Sequence, residues 1–190
     1  MHEAGYCNRN LKLGNILLDH NFNPKINNFS FLTQFLQNNQ PILLNDMVGT
    51  QMYSSPQILA KRPYNGEKAD IFSLGIILFN LVSGKKPINS ADKYDLFFGL
   101  MAKGKYDIFW KQILGIIDLS NEFKDLFISM VTLNENDRPN VHQVLHHHWF
   151  DEINDLDNEE LNQLEIDVRN EFLLRDNLIN HNNHGNGNNP

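Results

Sequence analysis

His142 and His146 stand four residues apart, with His147 and His148 directly after them. That spacing lets one helix face offer two imidazoles to a metal ion. No cysteine lies near and no third ligand is evident, so a zinc site is not expected. The single cysteine, Cys7, excludes an internal disulfide framework and fits a reducing compartment. The remaining polar candidates gather near the N-terminus: Asn8, Arg9, Asn10, Lys12 and Asn15, then Asn28. Their chemistry is that of amides and cations. A neutral amide cannot serve as a general base, although it orients a hydroxyl by hydrogen bonding. Its oxygen can ligate a hard cation, but without the charge that makes such binding strong. With 28 asparagines in the chain, no single one marks selection.

The elements that must position these residues follow from periodicity and punctuation. Residues 15–19 and 24–27 read as a β-hairpin around the turn Asp19-His-Asn-Phe-Asn23. Residues 28–57 lack helical periodicity, and a loop of that length inside a folded body is usually functional. Ala69 to Val82 is apolar almost all round and predicts a central helix, ended by Ser83-Gly84 and Pro87. Further helices are expected near 92–103, 121–132 and 140–147, with Ser120 and Asn140 as N-caps. Beyond them Leu161, Leu164, Val168 and Phe172 share one helical face among acidic residues. The Asn/His/Gly-rich end, 180–190, reads as disordered.

Composition narrows the class. Of 190 residues 41% are hydrophobic, enough for a core. The net charge of −7 is local: residues 1–150 carry 14 basic and 13 acidic side chains, residues 151–190 only 2 against 10. No basic surface argues for nucleic acid. The opening shows no signal-peptide pattern, and the longest apolar stretch, Ile71 to Val82, is too short to span a bilayer.

The segment Gly5-Tyr-Cys-Asn-Arg-Asn-Leu-Lys-Leu-Gly-Asn-Ile-Leu-Leu-Asp19 resembles the catalytic loop of eukaryotic protein kinases, whose pattern is H-R-D-L-K-x-x-N. Lys25-Ile-Asn-Asn-Phe-Ser30 falls where that family has D-F-G. Gly49-Thr-Gln-Met-Tyr-Ser-Ser-Pro-Gln57 resembles the G-T-x-x-Y-x-x-P-E that closes the activation loop. Asp70 to Gly75, Gly84 with Pro87, Arg138-Pro139 and His148-Trp-Phe150 match later landmarks in order. The resemblance covers residues 1 to about 150.

What it implies is carried residue by residue. The catalytic base of H-R-D is Asn10 here, and the Mg²⁺-holding Asp of D-F-G is Asn28. Lys12 matches the lysine that contacts the γ-phosphate and the P+1 threonine, Thr50. Asn15 matches the second Mg²⁺ ligand, Leu17 the floor of the adenine pocket, and Phe29 the packed aromatic of D-F-G. Asn8 replaces the histidine of the internal spine, a polar group where apolar contact is usual. Asp70 matches the carboxylate that accepts backbone N–H bonds from the catalytic loop. Arg138 matches the arginine paired with the glutamate of A-P-E, but that glutamate is Gln57, so Arg138 loses its charge partner. No Ser, Thr or Tyr lies between Thr33 and Thr50, and Asp46 occupies a position that many kinases phosphorylate. Asp46 is expected to pair constitutively with Arg9. Cys7 sits at a usually apolar site and is expected to be a buried, inert thiol.

The expected fold is therefore the C-terminal lobe of a protein-kinase-like domain, mainly α with a short β-hairpin, over 1–150. An acidic amphipathic helical tail over 151–179 and the irregular end over 180–190 complete it. That tail could be a helix docked on the lobe, a partner-binding helix or an autoinhibitory segment. It is not basic enough for a calmodulin target. The Gly-rich loop, the strand lysine and the helix glutamate of the N-lobe are missing from this chain. The Ala69–Val82 helix should then expose a large apolar patch, so the chain is expected either to be a fragment of a longer product or to need another polypeptide to fold well. The functional expectation is a truncated, catalytically inactive pseudokinase or fragment of Ser/Thr lineage, acting as a binding or scaffold module. The alternative is an ATP-dependent Ser/Thr protein kinase whose N-lobe is encoded upstream. ATP and Mg²⁺ enter by family resemblance only. The expected partner is an N-lobe-bearing polypeptide or a scaffold target, not nucleic acid or membrane, and the expected location is cytoplasmic.

Overall fold

The first third of the computed structural model, which describes residues 1–115 and 117–184, consists of short extended pieces. They are β1 (Tyr6–Cys7), β2 (Ile16–Leu18), β3 (Pro24–Ile26), β4 (Thr33–Gln34), β5 (Leu36–Gln37), β6 (Gln40–Pro41) and β7 (Leu43–Leu44). Asparagine, proline and turn residues interrupt every apolar run here, so no helix can propagate. Strand β2 pairs with β3, the expected hairpin. The turn between them is closed by Asp19, whose Oδ1 accepts the N–H groups of Asn21 and Asn23. β1 pairs antiparallel with β4, placing Cys7 opposite Thr33. β5 pairs antiparallel with β6. After α1 (Pro56–Leu59), β8 (Tyr64–Asn65) returns to pair antiparallel with β7.

Helices follow. α2 (Gly66–Ser83) starts where the Asn65 side chain accepts the N–H groups of Glu67 and Lys68. α3 (Leu96–Ala102), α4 (Tyr106–Leu114), α5 (Asn121–Val131) and α6 (Val141–Leu145) complete the first body. Ser120 caps α5 through Phe123 N–H, and Asn140 caps α6 in a reciprocal box with Gln143, both as the sequence indicated. α3 begins four residues later than expected, because Asp95 caps it through Phe98 N–H while Asp92 holds the preceding turn through Tyr94 N–H. α4 was not anticipated, although Tyr106, Phe109, Trp110 and Ile113 carry its period between Gly104 and Gly115.

The core lies around α2, where Ile71, Phe72, Ile76 and Phe79 are wholly buried. Phe79 sits among Phe127 at 4.8 Å, Trp110 at 6.1 Å, and Phe109 and Phe123 at 6.3 Å between ring centroids. Helix α5 lies against α2 at Gly75, where a Cβ would stand 2.8 Å from Val131 Cγ1 and 3.0 Å from Met130 Cβ. The expectation of a large uncovered patch on this helix is corrected. Only Leu81 and Val82, at its C-terminal end, are exposed large hydrophobics, because α5, β1 and the turn at Gln51–Tyr53 pack along its length.

The chain divides into two compact units. One is Met1–Leu17 with Lys25–Trp149; the other joins residues 18–24 to the chain from Phe150 onward. In the second unit, α7 (Asp151–Asn154) and α8 (Asn158–His184) follow one another. Asp157 opens α8 by accepting the N–H groups of Glu159 and Glu160. The Phe172 ring stacks on Phe22 at 5.5 Å and 11°, and Leu164 and Val168 line the same small cleft. α8 is continuous through His184, five residues into the stretch expected to be disordered, since each residue added to a nucleated helix gains a hydrogen bond. Residues 185–190 lie outside the described residues. No helix among the described residues is long and apolar enough to cross a membrane.

Candidate functional site

The loop 8–15 takes its shape from Asp70. This fully buried carboxylate accepts Asn8 N–H through Oδ2 and Arg9 N–H through Oδ1, both at 2.7 Å. His2 Nε2 lies 2.9 Å from Oδ2. Because Asp70 sits in the first turns of α2, the most buried helix fixes the loop beside it. The sequence indicated the backbone bonds but not His2.

The amides then bond to one another. Asn8 is fully buried, yet its Oδ1 accepts Asn10 N–H at 3.0 Å and its Nδ2 donates to the Asn28 carbonyl at 3.3 Å. A polar group in an apolar position is thus satisfied, which removes most of its desolvation cost. Asn15 Nδ2 donates to the Asn10 carbonyl at 2.8 Å, and its own carbonyl accepts Asn27 N–H. Asn28 adopts the left-handed conformation at φ 65°, which asparagine tolerates better than most residues. The Asn10 Oδ1 accepts the Thr50 hydroxyl at 3.0 Å. Thr50 reaches it because Gly49, at φ 102°, passes the Arg9 carbonyl where any Cβ would stand 2.5 Å away.

Arg9 pairs with Asp46 as expected: its guanidinium donates to Oδ2 at 3.1 Å. Arg9 Nε also donates to the Phe31 carbonyl at 2.8 Å, and the Tyr64 hydroxyl donates to the Asp46 carbonyl at 3.1 Å. Tyr64 was not foreseen from sequence. Asp46 is mostly exposed, so Asp46→Ala should cost under about 1 kcal/mol. It should nevertheless speed limited proteolysis between residues 37 and 48. An unchanged cleavage rate would show that the pair does not order the loop.

Arg138 is buried to 2% exposure. It donates to Gln57 Oε1 at 2.9 Å, the Thr132 carbonyl at 2.9 Å and the Lys68 carbonyl at 3.1 Å. Its guanidinium lies 5.1 Å from the Phe72 ring centroid. The expectation that Arg138 loses its charge partner is corrected in part. Gln57 accepts the hydrogen bond and Glu135 supplies the negative charge nearby. Burial still dominates, pushing Arg138 down to about 10 and Glu135 up, with their mutual attraction only partly opposing it.

Leu17, matched to the floor of the adenine pocket, and Phe29, matched to the packed aromatic of D-F-G, are 50% and 52% exposed. Lys12 is half-buried beside the amides. The oxygens near Asn10 that could face a cation are amide oxygens, and Asn28 Oδ1 already accepts Ser30 N–H at 3.2 Å. No three His, Cys, Asp or Glu side chains converge among the described residues. Asn15 keeps the amide that corresponds to the second Mg²⁺ ligand, whereas at Asn28 a neutral amide stands where Mg²⁺ bound to a nucleotide calls for a carboxylate, so Asn28 does not fit that group.

The histidines take other partners. His142 pairs with Glu3 at 3.1 Å, His147 with Asp125 at 3.1 Å, and His146 Nδ1 lies 2.7 Å from the His142 carbonyl. Cys7 is fully buried, and burial, with Asp70 adding to it, pushes its thiol from 9.0 up to about 12. An acid raised on folding holds its full contribution below the unfolded value and loses it as pH climbs toward the folded one. Stability should therefore fall from about pH 9 upward, by at most roughly 1.4 kcal/mol per pH unit. Urea titrations compared with Cys7→Ala, which should lack this fall, would check it.

A protein kinase domain model matches residues 1–150. Sperm motility kinase 2B of Mus musculus is 34% identical over 151 residues, 80% of this chain and 29% of that protein. Testis-specific serine/threonine-protein kinase 5 of Mus musculus is 36% identical over 149 residues, 78% of this chain and 37% of that protein. CBL-interacting protein kinase 5 of Oryza sativa subsp. japonica is 33% identical over 150 residues, 78% of this chain and 31% of that protein. The chain thus spans about a third of the length of these relatives. With loop, Asp70 clamp and Arg138 bonds arranged as the motifs required, the chain belongs to the protein kinase domain family.

Proposed function

We propose that this chain is a kinase-fold module of Ser/Thr lineage that binds protein partners and does not itself transfer phosphate. The observation that carries this reading is Asn10. Where the family places a carboxylate base, a neutral amide accepts the Thr50 hydroxyl, so the site keeps its hydroxyl-orienting geometry without a proton acceptor. Asn28 makes the same substitution at the metal-holding position, which supports weak or no use of ATP with Mg²⁺. The chain corresponds to the helical, C-terminal part of a kinase domain followed by an acidic helix. The half-exposed Leu17, Ile26, Phe29 and Leu32 supply an apolar surface for the polypeptide that would complete a nucleotide site.

The test is transfer of labelled γ-phosphate from Mg²⁺-ATP to a generic Ser/Thr substrate by the natural full-length product. Incorporation should not exceed the enzyme-free blank, and Mg²⁺-ATP should not raise the melting temperature. Robust incorporation, abolished by Lys12→Ala, would establish instead an active Ser/Thr protein kinase.

A further inference from the structure

The turn that joins β2 to β3 carries a backbone outlier. Phe22 stands at φ 63°, in the left-handed region, where a bulky side chain is strained and glycine or asparagine is far less so. Asn21 and Asn23 flank it, yet the left-handed position itself holds an aromatic ring. Such strain persists only where surrounding contacts over-determine it. Here those contacts are local. Asp19 N–H donates to the Asn23 carbonyl at 3.0 Å, and Phe22 N–H donates to the Asp19 carbonyl at 2.9 Å. Asp19 Oδ1 accepts Asn21 N–H at 2.9 Å and Asn23 N–H at 3.0 Å. Each of these bonds closes within residues 19–23, so the turn aims the ring without help from α8.

Phe22 is half-buried between exposed neighbours, and its ring meets α8. It stacks on Phe172 at 5.5 Å, while Pro24, Leu164 and Val168 line an adjoining cleft of about 260 Å³. The seat is shallow. Leu164, Val168 and Phe172 remain 43%, 46% and 43% exposed, little less than Ile166 and Leu173 at 50% each. A helix that buries so little apolar surface opens at a free energy well below that of global unfolding. We propose that α8 is a reversible strap: Phe22, strained into place by its turn, is a preformed seat that α8 occupies and leaves while the rest of the chain stays folded. Seated, the strap covers the Phe22 ring. Released, it uncovers Phe22 and its own apolar stripe together. The strap works whether or not the amide site transfers phosphate.

Hydrogen exchange of the 190-residue chain tests this. In the unmodified chain, amides of residues 161–172 should exchange at least about a hundredfold faster than those of residues 71–79 in α2. Phe22→Gly removes one ring and relaxes the turn, and Phe172→Ala removes the other ring while raising helix propensity. Each should speed exchange over 161–172 by about tenfold, although neither weakens the helix itself. Ile166→Ala, outside the cleft, should not speed it. In Phe172→Ala the Asn21 and Asn23 amides should keep their protection, because Asp19 holds them. Unchanged exchange over 71–79 shows that each variant is folded. Four results would overturn the proposal: α8 amides as slow as those of α2, exchange over 161–172 unmoved by Phe172→Ala, an equal acceleration from Ile166→Ala, or turn amides released by Phe172→Ala.

Discussion

Asp70→Ala should lower folding stability by about 4 kcal/mol and free the loop 8–10 from the body. The magnitude follows from burial. Asp70 is fully enclosed and accepts two backbone N–H groups at 2.7 Å, with His2 as a third contact. Alanine would leave Asn8 and Arg9 N–H groups facing a water-poor cavity, where each unmet donor costs about 1–3 kcal/mol. Asp70→Asn should cost less, since one oxygen still accepts while the amide group meets one N–H unfavourably. Urea unfolding gives the free energy, and hydrogen exchange gives the location. Exchange at Asn8 and Arg9 should approach that of an open loop in the alanine variant. If those two amides stayed as protected as in the unmodified chain, Asp70 would not be what holds the loop.

Phe79→Ala is the second large effect, with an expected loss of about 4 kcal/mol. Phe79 is wholly buried at the centre of an aromatic cluster, in contact with rings from α4 and α5. Rigid rings on all sides cannot collapse into the space an alanine leaves, so the cavity cost is added to the lost burial. Phe79→Leu should lose roughly half as much. A drop in the urea midpoint at unchanged slope would identify a stability change without loss of cooperativity. A loss under about 1 kcal/mol for the alanine variant would show that the cluster repacks, contrary to this reading.

The two variants probe different layers of legibility. The identity of α2 as the central helix was written in its composition, since a helix apolar on every side has no stable place but a core. What covered it was not legible, because Gly75 reads as a weak helix residue until Met130 and Val131 are found against it. Helix α4 was present in the period of Tyr106, Phe109, Trp110 and Ile113, and was hidden by the short span between two glycines. Around the site, the Arg9–Asp46 and Asp70–backbone contacts followed from the motif pattern. His2 and Tyr64 did not, because each reaches its partner across dozens of residues through geometry that no local pattern encodes; Glu135, three residues from Arg138, did not because its charge matters only once Arg138 is buried.

By itself the sequence determined which functional groups exist: amides at 10 and 28, a thiol at 7, no phosphorylatable side chain between Thr33 and Thr50, and an acidic segment after 150. Side-chain chemistry is a property of residue type, so no fold can return a carboxylate to Asn10. Only the tertiary structure decided whom these groups meet. It joined the spine amide Asn8 to the Asn28 carbonyl, turned the Thr50 hydroxyl onto Asn10, and buried Arg138 against Gln57. Hydrogen bonds and buried charges are governed by distances of a few ångströms between residues far apart in the chain, and those distances exist only after the chain has packed.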